Sequence, residues 1–132
     1  MPVDIKLLRN KVPFKDMPDT GLKALSEAAF TTEHQMEEVL FNIGDNDNYT
    51  AYLIKGCVSL ESIDGRQEYL CHDHAESQFG LANLKPRMYK VMIVKNHSIV
   101  LWLKSKIIEQ FLLDEYSYEE KKMDGLSVYR IT

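Results

Sequence analysis

The sequence predicts a mainly β chain with helices at its two ends, closing into a barrel or jelly roll. Three observations carry that expectation. Between residues 38 and 103, short apolar runs recur with turns roughly every 8–12 residues. The separators are rich in Gly, Asn and Asp, which tolerate the left-handed backbone that tight turns need. On either side, at about 4–30 and 105–113, the apolar residues fall instead at helical spacing.

The elements follow in order. Asp4 caps a first helical turn in which Ile5 and Leu8 share a face, interrupted at Pro13. A second helix runs from about Thr20 to Phe30, with Leu22, Leu25 and Ala29 as its buried stripe and Ser26 and Glu27 outside it. These thirty residues carry no chemistry and read as a helical lid. From Thr31 the period changes, and Glu38 to Phe41 is a short strand ended by the turn-rich run Asn42 to Asn48. Tyr49 to Lys55 is the next strand, stopped at Gly56. Cys57 to Ser62 follows, with Val58 and Leu60 on one face and Ser59 and Glu61 on the other. Asp64-Gly65 is a hairpin turn, and Gln67 to Cys71 is the returning strand. After a polar run from His72 to Gln78 come two more strands, Tyr89 to Val94 and Ile99 to Leu103. Ser105 then caps a last helix whose apolar face is Ile107, Ile108, Phe111 and Leu112 and whose polar face is Lys106, Glu109 and Gln110. Residues 1–113 form the domain, and 114–132, acidic and aromatic and then basic, read as a tail or linker.

Composition narrows the class. With 132 residues, 45 % hydrophobic and 27 % charged, the chain has the size and balance of one globular domain. A net charge of −4 argues against a broad nucleic-acid footprint. No stretch approaches the roughly 18 apolar residues that span a bilayer. Cys57 and Cys71 are too few for a disulfide framework and lack Cys-x-x-Cys spacing, so they read as reduced, partly buried thiols of a cytoplasmic protein.

The candidate site is the stretch from Phe79 to Val91. Gly80 permits a turn or a close approach that a side chain would block. A helical turn over Leu81 to Leu84 would present unpaired N–H groups beside Gly80, and Arg87 would add a fork of donors suited to a phosphate. The plainer alternative is a surface loop with an exposed Arg. No Ser-His-Asp or Cys-His arrangement accompanies it, so no enzyme is expected. His72-x-His74-x-Glu76, with His97 downstream, is the one metal-like cluster, against a polar loop as the alternative. Trp102 alternates with Leu101 and Leu103 as half-buried barrel packing, and Tyr116 and Tyr118 lie either in a solvated tail or over the pocket mouth.

Taken with the order of elements, four stretches resemble the cyclic nucleotide-binding domain superfamily. Val12 to Met17 looks like that family's entry turn. Glu38-Val39-Leu40-Phe41-Asn42-Ile43-Gly44-Asp45 looks like its strand and Gly-Asp turn. Tyr52-Leu53-Ile54-Lys55-Gly56-Cys57-Val58 looks like its Gly-x-Val hairpin, and Phe79-Gly80 through Arg87 occupies the place of its phosphate-binding cassette. The resemblance covers about residues 10–113. It implies a double-stranded β-helix, or jelly-roll barrel, acting as a regulatory or sensory module. It also implies that Phe79, Gly80, Leu81, Ala82, Arg87 and Met88 bind cAMP, cGMP or another small phosphate-bearing ligand, and that the C-terminal helix passes the signal on. The output is expected in a longer chain or a homodimer, because too little sequence follows the last helix for a helix-turn-helix domain.

Departures from the family pattern are specific. Leu81 follows Gly80 where the family has the Glu that accepts the ribose hydroxyl, the segment to Pro86 is shorter, Met88 replaces a small residue, and Glu37 replaces a Gly. Glu76, the nearest upstream carboxylate, lies on the wrong side of Phe79 for a simple register shift. Losing one charge-assisted hydrogen bond costs on the order of 1.5–3 kcal/mol, or about one to two decades of affinity. Two further readings follow, a non-binding domain serving as a protein interaction module and a cupin-like metal protein.

Overall fold

The structure, a computed structural model, describes residues 3–112. The expected tail at 114–132, with Tyr116 and Tyr118, lies outside the described residues. Helix α1 spans Ile5–Arg9, and the Asp4 carboxylate accepts the Lys6 N–H at 2.9 Å, as the capping argument requires. Helix α2 spans Asp19–Ala28. Leu22, Leu25 and Ala29 are buried, and so is Ser26, which the stripe left outside; its hydroxyl donates to the Lys23 carbonyl at 2.7 Å and so needs no water.

Seven strands follow: β1 (Phe30–His34), β2 (Val39–Phe41), β3 (Tyr49–Lys55), β4 (Cys57–Ser62), β5 (Gln67–Cys71), β6 (Tyr89–Ile93) and β7 (Ser98–Lys104). A single 3₁₀ turn, Ala75–Gln78, separates β5 from β6. The strands form two antiparallel sheets, ordered β1-β7-β3 and β2-β6-β4-β5. Strand β1 replaces the end of the predicted second helix. It is an edge strand paired only with β7 and mostly exposed, so its sequence lacks the apolar alternation of a half-buried strand.

The three-stranded sheet is covered on both faces. Ala51, Leu53 and Val100 pack inside the barrel against Phe41, Val58, Val91 and Ile93. Tyr52, Leu101 and Leu103 face outward and are covered by Leu8, Phe14, Leu22 and Leu25 of the N-terminal segment and by Ile108. Each such side chain contributes about 1.5–3 kcal/mol by leaving water. Residues 105–112 are helical and supply Ile108, with Ile107, Phe111 and Leu112 packed against the same outer cluster. Ser105 does not cap this helix. Its hydroxyl is paired with that of Thr50 at 2.9 Å, and its N–H donates to Asn48 O. Two polar contacts tie the first loop to the barrel: Tyr52 donates its hydroxyl to Val12 O at 2.8 Å, and Lys11 reaches Leu53 O and Ser77 O.

Gly56 makes the sharp return from β3 to β4. Its φ is +96°, and a Cβ there would lie 2.0 Å from Ser98 Oγ and 2.8 Å from Ser98 Cα, so backbone conformation and close approach both exclude a side chain.

The two cysteines are not free thiols. Cys57 and Cys71 face each other in the β4–β5 register and are joined by a disulfide, with Cα atoms 4.1 Å apart. The neighbouring Gly56–His72 pair carries the ladder hydrogen bond, His72 N–H to Gly56 O at 3.0 Å. Cys57 and Cys71 thus hold the close, non-hydrogen-bonded position where side chains meet. The Asp64-Gly65 turn sets this register from the far end of the hairpin. The expected reduced thiols are therefore corrected, and the cysteine argument for a cytoplasmic location loses its ground.

A sequence separation of 14 closes a short loop, for which cross-linking contributes about 3 kcal/mol. Cys57→Ser/Cys71→Ser should lose about 2–4 kcal/mol in a urea titration, and wild type under reductant should move to the same midpoint.

Candidate functional site

Arg87 is the largest fully buried side chain, 1 % exposed. Such a guanidinium is tolerated only with every donor paired, and here all five are. Nε donates to Asp47 Oδ2 at 3.0 Å. Nη2 donates to Asp47 Oδ1 and to Tyr49 O, both at 2.8 Å. Nη1 donates to Leu81 O at 3.1 Å and to Ala82 O at 3.4 Å. The guanidinium carbon stands 3.8 Å from the centre of the Phe41 ring, an added cation–π contact. Lys85 joins the same cluster, its Nζ donating to Asp47 Oδ1 at 2.7 Å and to Tyr49 O at 2.6 Å. The Arg87 guanidinium beside Asp47 holds that carboxyl far below the usual carboxylate range, with Lys85 and the Tyr49 N–H acting in the same direction. Both sequence readings of Arg87, a phosphate fork and an exposed loop residue, give way to a buried structural ion pair.

The segment after Gly80 is not helical. Leu81-Ala82 makes a tight turn, with Ala82 at a φ of +39°, and the only helical turn nearby precedes Phe79. Arg87 reaches inward to the Leu81 and Ala82 carbonyls and holds the turn down, so those carbonyls are taken by the guanidinium rather than by helical N–H groups. Leu81 N–H donates to Ala51 O at 2.7 Å, and a Cβ on Gly80 would stand 2.9 Å from Thr50 Cγ2. Gly80 is thus needed for a close approach to β3.

Four of the six expected site residues come together. Phe79, Gly80, Leu81 and Ala82 line a cleft of about 610 Å³ between this segment and the β4–β5 hairpin. Across it stand Leu60, Glu68 and Tyr69, and Glu76 lines it too, despite its place before Phe79 in the chain. Phe79 is half exposed, so its ring is available to a ligand; Tyr69, also exposed, alternates with Glu68 and Leu70 on β5. Met88 lies elsewhere, beside Ile63 and Arg66, in a separate hollow. Arg87 is turned into the fold.

Glu68, Tyr69 and Asp47 were the residues sequence reasoning missed. Strand alternation offered a signal for Glu68, the register partner of Leu60, but not for Tyr69, which stands opposite Ser59 on the other face of the hairpin. For Asp47 there was none, because a turn-rich run of Asn and Asp already accounts for itself.

The metal-like cluster is not assembled. His97 sits at the β6–β7 turn with its Nδ1 2.9 Å from Glu33 Oε1. His72 and His74 accept backbone N–H groups of Gly56 and Cys71. Among the described residues the grouping of potential ligands is instead Cys71, Asp73 and His74, and the Cys71 sulfur is committed to the disulfide. Trp102 is half-buried, donating to Thr32 Oγ1 at 2.7 Å and stacked on Phe30.

With this geometry established, comparison with solved structures identifies the fold as that of the cyclic nucleotide-binding domains. A regulatory subunit of a cAMP-independent protein kinase A from Trypanosoma cruzi, bound to guanosine, is similar at a TM-score of 0.70 and 14 % identity, over 90 % of this chain and 42 % of that one. The sensor domain of the transcriptional regulator DNR from Pseudomonas aeruginosa is similar at 0.68 and 15 % identity, over 98 % of this chain and 99 % of that one. A cyclic nucleotide-binding-like protein from Brucella abortus follows at 0.56 and 18 %, over 83 % and 97 %. The chain spans less than half the length of the kinase regulatory subunit from Trypanosoma cruzi. No family model and no curated protein sequence matches it. Among the described residues no helix is long and apolar enough to cross a membrane.

The Asp47–Arg87 pair generates a stability prediction. Asp47→Asn leaves a buried guanidinium without its countercharge and should cost about 3–5 kcal/mol. Because the folded carboxyl titrates far below the unfolded value of about 3.9, the pair's stabilisation is complete above that value and is lost as pH falls below it. Denaturant titrations at pH 7 and at about pH 3 should show wild type weakening in acid and the variant weakening less.

Proposed function

We propose that this chain is a regulatory, ligand-sensing module, not a catalyst, and that its receptor is the cleft between the β4–β5 hairpin and residues 76–82. The ligand class we infer is a nucleoside or a similarly flat, uncharged molecule. The observation that carries this reading is the closure of Arg87 on Asp47, which turns that guanidinium away from the cleft and from any cyclic phosphate of cAMP or cGMP there. Two carboxylates, Glu68 and Glu76, line the cleft in its place. A like charge at 4 Å costs on the order of 4 kcal/mol at an effective dielectric of about 20. For a neutral ligand the same groups serve well: the carboxylates accept hydroxyl or amino protons, and Phe79 offers a ring face for a base. The similar kinase regulatory subunit is bound to guanosine, a nucleoside.

The route to the C-terminal helix runs through β3. Residues 79–82 rest on Thr50 and Ala51, and the Thr50 hydroxyl is bonded to Ser105 at the helix start. A ligand that lifts Gly80 from Thr50 would free that hydroxyl contact and shift helix 105–112, the surface offered to an output domain or a second copy. Docking of a protein partner at the cleft is the second reading, favoured by the exposure of Phe79 on its rim.

Calorimetric titration of the full chain with guanosine, adenosine, cAMP and cGMP tests the proposal. A nucleoside should give saturable heat and bind at least about tenfold more tightly than its cyclic phosphate, and Glu68→Gln/Glu76→Gln should narrow that gap. Equal or tighter binding of cAMP or cGMP would overturn the ligand class. No heat from any of the four at millimolar concentration would leave the interaction module.

A further inference from the structure

A second cavity, of about 380 Å³, lies on the other side of the 3₁₀ turn from the cleft, against α1. Its ionisable lining is Lys6, Lys11, His72 and His74, beside Asn10, Ser77 and Gln78, so every ionisable group in it is a base. Lys11 is the unusual member. It is 7 % exposed, and its ammonium donates to two backbone carbonyls, Leu53 O at 3.1 Å and Ser77 O at 2.9 Å. An ammonium has three N–H groups, so one is left over. Among the described residues no carboxylate forms an ion pair with it, although buried charges are normally paired. Burial accordingly weakens its hold on its proton.

The two histidines are set as donors by the backbone. Gly56 N–H donates to His72 Nδ1 at 3.0 Å, a shorter contact than the 3.4 Å from that nitrogen to Gly56 O, and Cys71 N–H donates to His74 Nδ1 at 3.3 Å. With Nδ1 accepting, the neutral ring carries its proton on Nε2, so each imidazole keeps an N–H free of these backbone contacts. A buried cation lacking a countercharge, a second lysine and two such N–H groups thus surround one space of ligand size.

We propose that this cavity is a second ligand site, taking a phosphate group, with Lys11 as its central cation and Lys6, His72 and His74 as further donors. A tetrahedral oxyanion accepts from several directions at once, which suits donors arriving from α1, the first loop and the turn after β5. Binding there supplies the missing countercharge to Lys11 and strengthens its grip on Ser77, the residue that holds the shared wall of the cleft.

Inorganic phosphate and ribose 5-phosphate, titrated calorimetrically into the full chain at fixed ionic strength with chloride as the reference, test the site. Wild type should give saturable heat and a rise in melting temperature with one of them and neither with chloride; the tighter probe tells a free ion from a phosphate ester. Lys6→Ala/His72→Asn, which keeps an acceptor for the Gly56 N–H, should weaken binding by about ten- to a hundredfold. Lys11→Met should abolish it, but that lysine also ties two carbonyls, so the Lys6/His72 variant decides the matter if Lys11→Met does not fold. Absence of saturable heat with both probes at tens of millimolar, or unchanged affinity in the Lys6/His72 variant, would overturn the proposal. Neither result bears on guanosine binding in the cleft.

Discussion

A guanidinium buried without water must find a partner for every proton, and the architecture around Arg87 follows from that demand. Its donors reach the turn before β3 through Asp47, the start of β3 through Tyr49, and the segment after Gly80 through Leu81 and Ala82. Its backbone completes the clamp, N–H to Asp45 O and O from Gly44 N–H, each at 2.7 Å. Two stretches far apart in sequence, 44–49 and 81–82, are thereby fixed to one point, with the Phe41 ring beneath it. A group suited to capturing an anion from solvent has its own internal anion, and the neighbouring cleft is left to other chemistry.

Lys11 plays a smaller version of the same role at the opposite edge. By bonding Leu53 O and Ser77 O it joins the first loop to β3 and to the 3₁₀ turn, and Val12 N–H reinforces the join at Gln78 O. That turn is consequently a partition. Glu76 and the following Phe79 face the cleft, Ser77 and Gln78 face the basic cavity, and His74 borders both. Whatever occupies one side is separated from the other by a single turn of backbone.

Most of the fold was legible because local chemistry decided it. The strands from Tyr49 to Cys71 appear with the bounds read from sequence, since Gly56 and Asp64-Gly65 punctuate them and buried apolar runs lie between. Strand β1 was not legible: its polar Thr, Glu and His residues, exposed or half-buried, carry no apolar period, and only β7 makes it a strand. The disulfide was hidden for a related reason. Two cysteines 14 residues apart look unrelated until the hairpin register sets them opposite each other. Phe79, Gly80, Leu81 and Ala82, expected together, lie along one cleft, whereas the direction of Arg87 was not legible. Residue type told of its donors, but a carboxylate forty positions earlier decided where they point.

The Cys57–Cys71 bond has a thermodynamic consequence for recognition. Strands β4 and β5 form one wall of the cleft, and the hairpin they make is fastened at one end by the Asp64-Gly65 turn and at the other by sulfur. Loss of conformational freedom in that wall has already occurred during oxidative folding, so a molecule that bound there would meet a rigid wall and forfeit little entropy in shaping it. Selectivity at such a surface comes from fit to a fixed template rather than from adaptation.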